Sequence, residues 1–350
     1  MPVRIAVDAM GGDHAPREIV RGAVLYARLA SAGMMPEAQI ILVGDAARVQ
    51  AELGDALGGE PQPQTITVRH AARAVAMGEH PTEAVKKHDS SLVVATTLVK
   101  NGEADAVFSA GNTGAMMVAS FQILERIDGV RRPAIAAFLP QQTGRRFTLV
   151  DAGANVDCKP SLLLQFALLG SLYAEWVFGY INPRVGLLSN GEEEGKGDER
   201  TKEAHAILAE KAAEYGINFV GNIEGHYAFA GGADVIACDG FVGNVLLKSV
   251  EGMGETAMSV LARAANAAGE GAVRDALLAS RHEIALGIDY AETGGAPLLG
   301  VNGVSMIGHG RSDARAIMNG IRQSVRGAQS GYVARTRTRF AELKAREAAG

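Results

Sequence analysis

The chain has 350 residues, of which 47% are hydrophobic and 5% aromatic, and it contains 43 glycines. Few aromatics and many glycines favour closely packed α/β layers over an all-β sandwich. The formal net charge of −5 at pH 7 argues against bulk attraction to nucleic acid, so we expect no nucleic-acid partner.

Nine short apolar runs are predicted to be β-strands. Several are apolar throughout rather than alternating, as strands buried on both faces of a sheet should be. The predicted strands are 3–8, 39–43, 65–69, 106–109, 134–139, 147–151, 185–188, 218–221 and 235–238.

Stretches with helical periodicity follow these runs. They cover 16–32, 46–57, 90–100, 114–127, 159–178, 198–215, 241–267, 270–283, 312–330 and 332–348. This alternation predicts an α/β fold with a doubly wound, mostly parallel sheet. No repeat or linker marks a boundary, so residues 1–350 are expected to form one domain.

A helical hairpin is expected as an insertion at about 241–285. The segment is rich in Ala, Gly and Met, and Gly269 and Gly271 divide it into two helices. Such a hairpin can pack against a second copy of the chain, insert its tip into a membrane interface, or cover the sheet. The sequence leaves these three alternatives open.

Five Gly- or Asn-rich loops each follow a predicted strand. They are DAMGGD at 8–13, SAGNTG at 109–114, DAGAN at 151–155, SNGEEEGKG at 189–197 and DGFVGN at 239–244. In a parallel sheet such loops share one edge, where ligands bind. Glycine permits close approach of the backbone, and the N–H groups that begin a helix favour an anion. The pattern therefore predicts a site for an oxyanion such as phosphate.

Individual side chains in these loops allow two interpretations. Ser109, Asn112 and Thr113 can bind the anion, or they can serve turn and helix-cap chemistry. Lys196 lies in Gly-Lys-Gly, which suits a mobile cation that closes on a ligand, although a solvated lysine is equally common. His309 is near a Gly-rich loop and is either catalytic or structural.

Asn244 and Lys248 are four residues apart and share a helix face, next to Asp239. They present an amide, a cation and a carboxylate at one helix start, or form a capped helix with a surface lysine. Glu192–Glu194 can be a magnesium site or simply a charged loop.

Several familiar signals are absent from the sequence. It has no G-x-G-x-x-G, no G-x-S-x-G and no H-E-x-x-H, and Gly191–Gly197 has the wrong spacing for a phosphate-binding P-loop. Cys158 and Cys238 lack metal-ligand spacing, so we expect no metal site. Without a signal segment or a run of 18 apolar residues, a cytoplasmic protein is expected.

Eight motifs, in order, resemble the phosphate acyltransferase family of bacterial phospholipid synthesis. Each is weak alone, but together they extend over residues 3–330. They are VDAMGGDH at 7–14, FSAGNTGA at 108–115, DAGAN at 151–155, GLLSNGEEEGKG at 186–197, GNIEG at 221–225, DVIACDGFVGNVLLK at 234–248, GGAPLLG at 294–300 and IGHG at 307–310.

The resemblance implies an enzyme that moves a long-chain acyl group from acyl carrier protein to inorganic phosphate, giving acyl phosphate for phosphatidic acid synthesis. It implies a fold like that of isocitrate and isopropylmalate dehydrogenases, a homodimer, no metal and no cofactor. It also implies loose peripheral attachment to the inner face of the membrane, where a membrane glycerol-phosphate acyltransferase consumes the acyl phosphate.

Such a transfer needs no nucleophilic side chain, because phosphate attacks and a thiolate leaves. The protein has to position the reactants and stabilise the oxyanion. The residues expected to bind phosphate are Ser109, Gly111, Asn112, Thr113, Gly114, Asp151, Asn155 and Lys248. Those expected to be catalytic are Lys196, Asn222, Asp239, Asn244 and His309. Those expected to contact the carrier or the membrane are Arg263, Arg274 and Arg281.

Three rival functions remain open at this point. A phosphotransacetylase would use a short acyl chain and a coenzyme A donor. An NAD-dependent β-decarboxylating dehydrogenase would need an arginine-rich carboxylate site and a metal-binding Asp set, which the sequence lacks. A membrane-recruited scaffold would bind partners without turnover.

Overall fold

A computed structural model describes residues 2–288 and 290–349 of the chain. Its strands fall close to the predicted runs, with two additional strands near the C-terminus. They are β1 (Val3–Asp8), β2 (Ala38–Gly44), β3 (Ile66–His70), β4 (Ala106–Ser109), β5 (Ala134–Pro140), β6 (Arg146–Val150), β7 (Arg184–Leu188), β8 (Asn218–Ile223), β9 (Val235–Ala237), β10 (Ala296–Leu299) and β11 (Val304–Ile307).

Helices connect most of these strands. They are α1 (Arg17–Ser31), α2 (Ala46–Leu57), α3 (Pro81–Ala84), α4 (Ser91–Lys100), α5 (Thr113–Ala119), α6 (Pro160–Phe178), α7 (Glu199–Lys211), α8 (Gly225–Ala230), α9 (Gly240–Ala268), α10 (Ala272–Ile288), α11 (Tyr290–Thr293), α12 (Ala314–Gln329) and α13 (Tyr332–Ala349). All ten predicted helices are present, and the Pro81, Gly225 and Tyr290 helices were not predicted.

The strands follow the order β3-β2-β1-β4-β11-β10-β5-β6-β9-β7-β8. Seven neighbouring pairs are parallel, and the pairs that involve β5 or β10 are antiparallel. The predicted α/β class with a mostly parallel sheet is therefore confirmed.

The chain divides into two compact units. Unit 1 consists of Met1–Ile135, Leu172–Ile181 and Thr293–Gly350, and unit 2 consists of Ala136–Ser171 and Asn182–Glu292. The expectation of one domain over 1–350 stays a prediction.

In unit 1 the core lies between the sheet and the helices α1 and α12. Ile5 and Phe108 on the strands and Ile317 and Ile321 on α12 are completely buried. Burial on both faces explains why these strands are apolar throughout. The packing brings the loops after β1, β4 and β11 to one edge of the unit.

A group of aromatic rings holds the C-terminal end of α6 in unit 1. The ring of Tyr173 meets Tyr332 edge-on at 5.2 Å, and Trp176 lies 6.3 Å from Tyr332. The Arg335 guanidinium lies over Trp176 at 5.7 Å from its ring centre. Trp176 is the one tryptophan of the sequence.

Within the described residues, one helix, α6, is long and apolar enough to cross a membrane by length and composition. About four fifths of it, 78%, is buried inside the protein. A helix that is apolar all round and covered by its own protein is a core helix.

Two parts of the secondary structure prediction were wrong. β10 and β11 were missed, because each has four residues with a glycine directly on either side, and glycines at such spacing are typical of loops. The helix predicted at 114–127 ends at Ala119 and continues as one π-helical turn, Ser120–Leu124. It stops at Glu125, which has a positive φ of 63°.

The predicted helical hairpin is present in unit 2 as α9 and α10. Gly269 and Gly271 lie between the helices with φ values of 68° and 139°, so both adopt conformations that favour glycine. The break between the two helices was therefore placed correctly.

The contact between α1 and α12 can be tested at Gly22. A methyl carbon added there would lie 2.5 Å from Cβ of Ile317. We expect Gly22→Ala to lower the free energy of unfolding by about 1–3 kcal/mol through overpacking. Denaturant unfolding measures the change.

Gly54 on α2 is the matched control, because nothing lies within 4 Å of an added methyl carbon. Gly54→Ala should raise the free energy of unfolding by up to about 1 kcal/mol through helix propensity. Equal effects of the two substitutions would contradict the packing described for Gly22.

Candidate active site

In unit 1, the loops after β1 and β4 are joined by a buried hydrogen bond. Ser109 Oγ donates to Asp8 Oδ2 at 2.7 Å and accepts from the Gly111 N–H at 3.1 Å. Burial raises the pKa of Asp8 above its ordinary value, and its hydrogen bonds, including that from Ser109, oppose the rise. Ser109 is thus committed to holding the two loops together.

Glycine is required where these loops meet. A methyl carbon at Gly11 would lie 2.4 Å from Asp8 Oδ2, and one at Gly111 would lie 3.1 Å from the Gly11 Cα. The close approach leaves Gly111 as a backbone element of the site without room for a side chain.

Asn112 has both ends of its side chain occupied. Its Oδ1 accepts from the Ala115 N–H at 3.0 Å and caps α5. Its Nδ2 donates to the carbonyl oxygens of Met77 and Glu79, each at 2.9 Å. Asn112 therefore fixes the 76–79 segment over the start of α5.

The next two residues of this loop differ in environment. Thr113 is exposed at the first position of α5. Gly114 gives room to a neighbouring ring, since a methyl carbon there would lie 2.6 Å from Cγ of Pro81. Gly114 therefore has a packing role.

His309 follows β11 and is half-buried. Its Nδ1 accepts a hydrogen bond from the Arg311 N–H at 3.2 Å, which leaves the proton of a neutral ring on Nε2.

In unit 2, Asp151 is completely buried at the end of β6. Its Oδ1 accepts from the N–H groups of Gly153 and Ala154, at 3.1 and 3.0 Å. Its Oδ2 accepts from the backbone N–H and the side-chain amide of Asn155, at 2.6 and 2.8 Å. The carboxylate thereby shapes the whole 153–155 loop.

The first turn of α9 packs directly on this loop. The Gly240 N–H donates to the Asn155 carbonyl at 2.8 Å, and Asn244 Nδ2 donates to the Ala152 carbonyl at 3.2 Å. At Gly243 a methyl carbon would lie only 1.9 Å from the Asp151 carbonyl oxygen. The structure thus brings together Asp151, Asn155 and Asn244.

Asp239 caps α9 and pairs with an arginine that sequence reasoning missed. Its Oδ1 accepts from the N–H groups of Phe241 and Val242, at 2.9 and 3.0 Å. Its Oδ2 lies 3.5 Å from Arg200 Nη1 at the start of α7. The pair links the first turns of α7 and α9. No motif marked Arg200, which lies among other charged residues at 198–203.

Both cysteines are buried free thiols. Burial raises the pKa of Cys158 to about 11, and Asp239 adds to the rise. Burial also raises the pKa of Cys238 well above its ordinary value. At neutral pH both groups are therefore protonated and weakly nucleophilic.

The 189–197 loop is held at two points. Asn190 Oδ1 accepts from the Gly197 N–H at 2.8 Å, and Asn222 Nδ2 donates to the Glu193 carbonyl at 2.8 Å. Asn222 is buried, and its Oδ1 lies 3.0 Å from His205 Nδ1. These contacts make Asn222 a support of the loop.

Lys196 projects from this loop into solvent. Its stem passes Gly191, where a methyl carbon would lie 2.6 Å from Lys196 Cγ. Its ammonium group makes no hydrogen bond or ion pair with any residue in 2–288 or 290–349. Lys196 is thus a free cation on an anchored loop.

A cavity of about 290 Å³ lies beside this loop in unit 2. Its apolar wall includes Leu163, Leu187 and Val242, and its polar wall includes Ser189 and Asp239. The Ser189 hydroxyl is buried and has no hydrogen-bond partner among the described residues. The cavity therefore combines an apolar wall with an unused hydroxyl.

The remaining predicted residues lie on the hairpin. Lys248 is exposed and pairs with Glu251 at 2.7 Å, while Arg263 is exposed and donates to Ser259 Oγ at 2.9 Å. Arg281 is exposed and Arg274 is half-buried. In the part of the chain that the structure describes, no three His, Cys, Asp or Glu side chains are grouped to hold a metal ion.

Comparison with known proteins identifies close relatives. The family model described as "Fatty acid synthesis protein" matches residues 3–335. The phosphate acyltransferase of Desulforamulus reducens is 51% identical over 338 residues, covering 95% of each chain.

Solved structures show similarity of fold. A phosphotransacetylase from Streptococcus pyogenes superposes with a TM-score of 0.61 at 17% identity, covering 94% of each chain. A protein from Salmonella typhimurium described as a 4-hydroxythreonine-4-phosphate dehydrogenase gives a TM-score of 0.52 at 12% identity, covering 93% of this chain and 99% of that one.

The capping role of Asn112 can be tested against an exposed neighbour in the same loop. We expect Asn112→Ala to lower the free energy of unfolding by about 1–3 kcal/mol, because it removes the cap of α5 and the two hydrogen bonds that Asn112 Nδ2 donates to the 76–79 segment. Thermal unfolding measures it. Thr113→Ala, one residue along and exposed, should change stability by less than about 0.5 kcal/mol. An equally small effect at Asn112 would contradict the capping role.

Proposed function

This chain belongs to the phosphate acyltransferase family, and we propose that it transfers a long-chain acyl group from acyl carrier protein to inorganic phosphate. A phosphate oxygen attacks the thioester carbonyl carbon, and a tetrahedral oxyanion forms. The C–S bond then breaks, so the products are acyl phosphate and the carrier thiolate, which takes up a proton. Catalysis consists of positioning the reactants and stabilising the oxyanion with fixed donors.

The observation that carries this proposal is the free ammonium group of Lys196 on an anchored loop. Ser189, Asn190 and Gly197 of this loop line a cavity whose apolar wall suits an acyl chain, and the Lys196 cation suits an anionic nucleophile. The loop is fixed by Asn190 and Asn222, so the cation is presented without being neutralised. We propose that the Lys196 ammonium group either binds phosphate or stabilises the tetrahedral oxyanion.

The state of the cysteines supports direct attack by phosphate. An acyl-enzyme formed on cysteine would require a thiolate, but burial raises the pKa of Cys158 to about 11 and also raises that of Cys238. Such thiols stay protonated at neutral pH and are poor nucleophiles.

The side chains that hold the loops in shape are proposed to position the backbone groups of the site. We propose that Asp151, Asn155 and Asn244 hold the 151–155 loop against α9, and that Asp239 holds the start of α9. Asn222 supports the Lys196 loop. These residues act by fixing backbone donors.

In unit 1 the side chains of Ser109 and Asn112 are used for structure. We therefore propose that the backbone N–H groups of residues 112–114 and the Thr113 hydroxyl are the donors to phosphate there, with Gly111 giving the backbone room to approach the anion. His309 is proposed to direct its Nε2–H, as a hydrogen-bond donor, toward the departing sulfur. Lys248 is proposed to reach phosphate only when its ammonium group leaves Glu251, with which it is paired.

We propose that the hairpin also carries the contacts with macromolecules. Large apolar side chains are exposed on it, among them Val260, Val273 and Leu278. These support a homodimer contact or loose contact with the inner face of the membrane. A peripheral cytoplasmic enzyme would deliver acyl phosphate there to a membrane glycerol-phosphate acyltransferase.

The proposed role of Lys196 can be tested directly. Lys196→Ala should lower kcat/KM for phosphate-dependent thiol release from palmitoyl carrier protein by about 10²–10³-fold, as loss of one oxyanion or phosphate donor does. Lys202→Ala, an exposed lysine on α7, is the control and should stay within about twofold. Full activity of Lys196→Ala would remove this residue from the mechanism. Absence of phosphate-dependent release by the wild type would refute the proposed function.

Carrier docking on the hairpin arginines predicts a salt-sensitive effect. The double substitution Arg263→Glu and Arg281→Glu should raise KM for palmitoyl carrier protein about tenfold at low ionic strength, because the acidic carrier loses its attraction. The rate with an uncharged palmitoyl N-acetylcysteamine thioester should not change. Unchanged KM for the carrier, with Lys202→Glu as a matched charge reversal, would place docking elsewhere.

A further inference from the structure

A buried histidine on α7 lies next to the residue that supports the Lys196 loop. Of the eight histidines, all of which lie within residues 2–288 or 290–349, only His205 is buried, with 7% of its surface exposed. Its ring meets that of Phe219 nearly edge-on, with 5.4 Å between the ring centres. Since a buried polar ring needs a hydrogen-bond partner, the contact made by its Nδ1 decides what the residue does.

The orientation of the Asn222 amide determines where the histidine ring carries its proton. Asn222 Nδ2 donates to the Glu193 carbonyl at 2.8 Å, and a carbonyl oxygen can only accept. The other end of the amide, Oδ1, therefore faces His205 Nδ1 at 3.0 Å. Because Oδ1 is also only an acceptor, Nδ1 carries a proton and donates it.

The Glu193 carbonyl connects this pair to Lys196. Besides the bond from Asn222, it accepts from the backbone N–H of Lys196 at 3.0 Å, which closes the 193–196 turn. Two consecutive hydrogen bonds thus join the His205 ring to the carbonyl that holds the Lys196 backbone. All four residues belong to unit 2.

We propose that His205 is a positioning residue for Lys196 and acts through Asn222. The inference rests on the proposed function and adds the group that orients the support of the Lys196 loop. Without a donor at Nδ1, the Asn222 amide can turn over, which would place Oδ1 against the Glu193 carbonyl oxygen. Two acceptors repel each other, so the 193–196 turn would lose this anchor and the Lys196 backbone would no longer be held in one position.

Two substitutions separate the donor of His205 from the packing of its ring. His205→Phe keeps an aromatic ring against Phe219 but has no donor. His205→Gln removes the ring, and its side-chain amide can donate to Asn222 Oδ1. A positioning role predicts that the Gln variant is the more active of the two, whereas a packing role predicts the reverse order.

The kinetic test measures phosphate-dependent thiol release from palmitoyl carrier protein by the full-length enzyme. His205→Phe should lower kcat/KM for phosphate about fivefold to tenfold, as the loss of one buried hydrogen bond does. His205→Gln should recover most of this loss. In a protein that already carries Lys196→Ala, His205→Phe should change kcat/KM by no more than about twofold, because its effect passes through Lys196.

Ala204→Gly is the matched control, since Ala204 is the buried neighbour of His205 on α7. It should lower the temperature of unfolding through helix propensity and leave kcat/KM for phosphate as in the wild type. A loss equal to that of His205→Phe would reduce the role of His205 to the stability of α7. Wild-type activity of His205→Phe, or losses that multiply when Lys196→Ala is added, would also overturn the inference.

The proton on Nδ1 can be observed without any assay of activity. In protein labelled with ¹⁵N-histidine, nuclear magnetic resonance should show a protonated Nδ1 for His205, whose signals are identified by their absence from His205→Gln. A proton on Nε2 with a bare Nδ1 would overturn the inference. A wild type without phosphate-dependent thiol release would instead refute the proposed function, and the tautomer distinguishes the two failures because it does not depend on turnover.

Discussion

The buried carboxylate of Asp151 is the interaction on which the candidate site in unit 2 depends. The backbone N–H groups of residues 153–155 and the side-chain amide of Asn155 donate hydrogen bonds to it. They impose one shape on the 153–155 loop, and the first turn of α9 is seated against that shape through Gly240 and Gly243. Asp239 caps the same helix and pairs with Arg200. A continuous set of contacts therefore connects the end of β6, the start of α9 and the start of α7.

Most polar side chains of these loops therefore hold the loops and helix ends in place. Asn112, Asn222 and Asp239 each satisfy backbone groups or a charged neighbour, which leaves few side chains free to meet a ligand. A site made in this way presents backbone donors held by side chains, and Lys196 is its unpaired, exposed cation. A site with few free side chains suits the proposed reaction, because phosphate is already a nucleophile and a thiolate is already a good leaving group.

The sequence predicted the fold well, because strands buried on both faces leave continuous apolar runs and glycine marks their ends. It could not predict β10 and β11, which are four residues long and depend on neighbours distant in the chain. It indicated the loops in which we propose the site, but not which of their side chains serve as helix caps. An asparagine that caps a helix and one that binds an anion have the same local sequence. Arg200 escaped notice because its significance lies in a contact with Asp239, 39 residues away along the chain.

The position of Trp176 means that tryptophan fluorescence reports on only one of the two units. It is the one tryptophan of the sequence, it belongs to unit 1, and it lies against Tyr332 and beneath Arg335. Tryptophan emission consequently reports the surroundings of this aromatic group and is blind to events confined to unit 2. Circular dichroism in the far ultraviolet sums over both. A difference between the two signals during denaturation would reveal whether the halves of the molecule melt as one cooperative body.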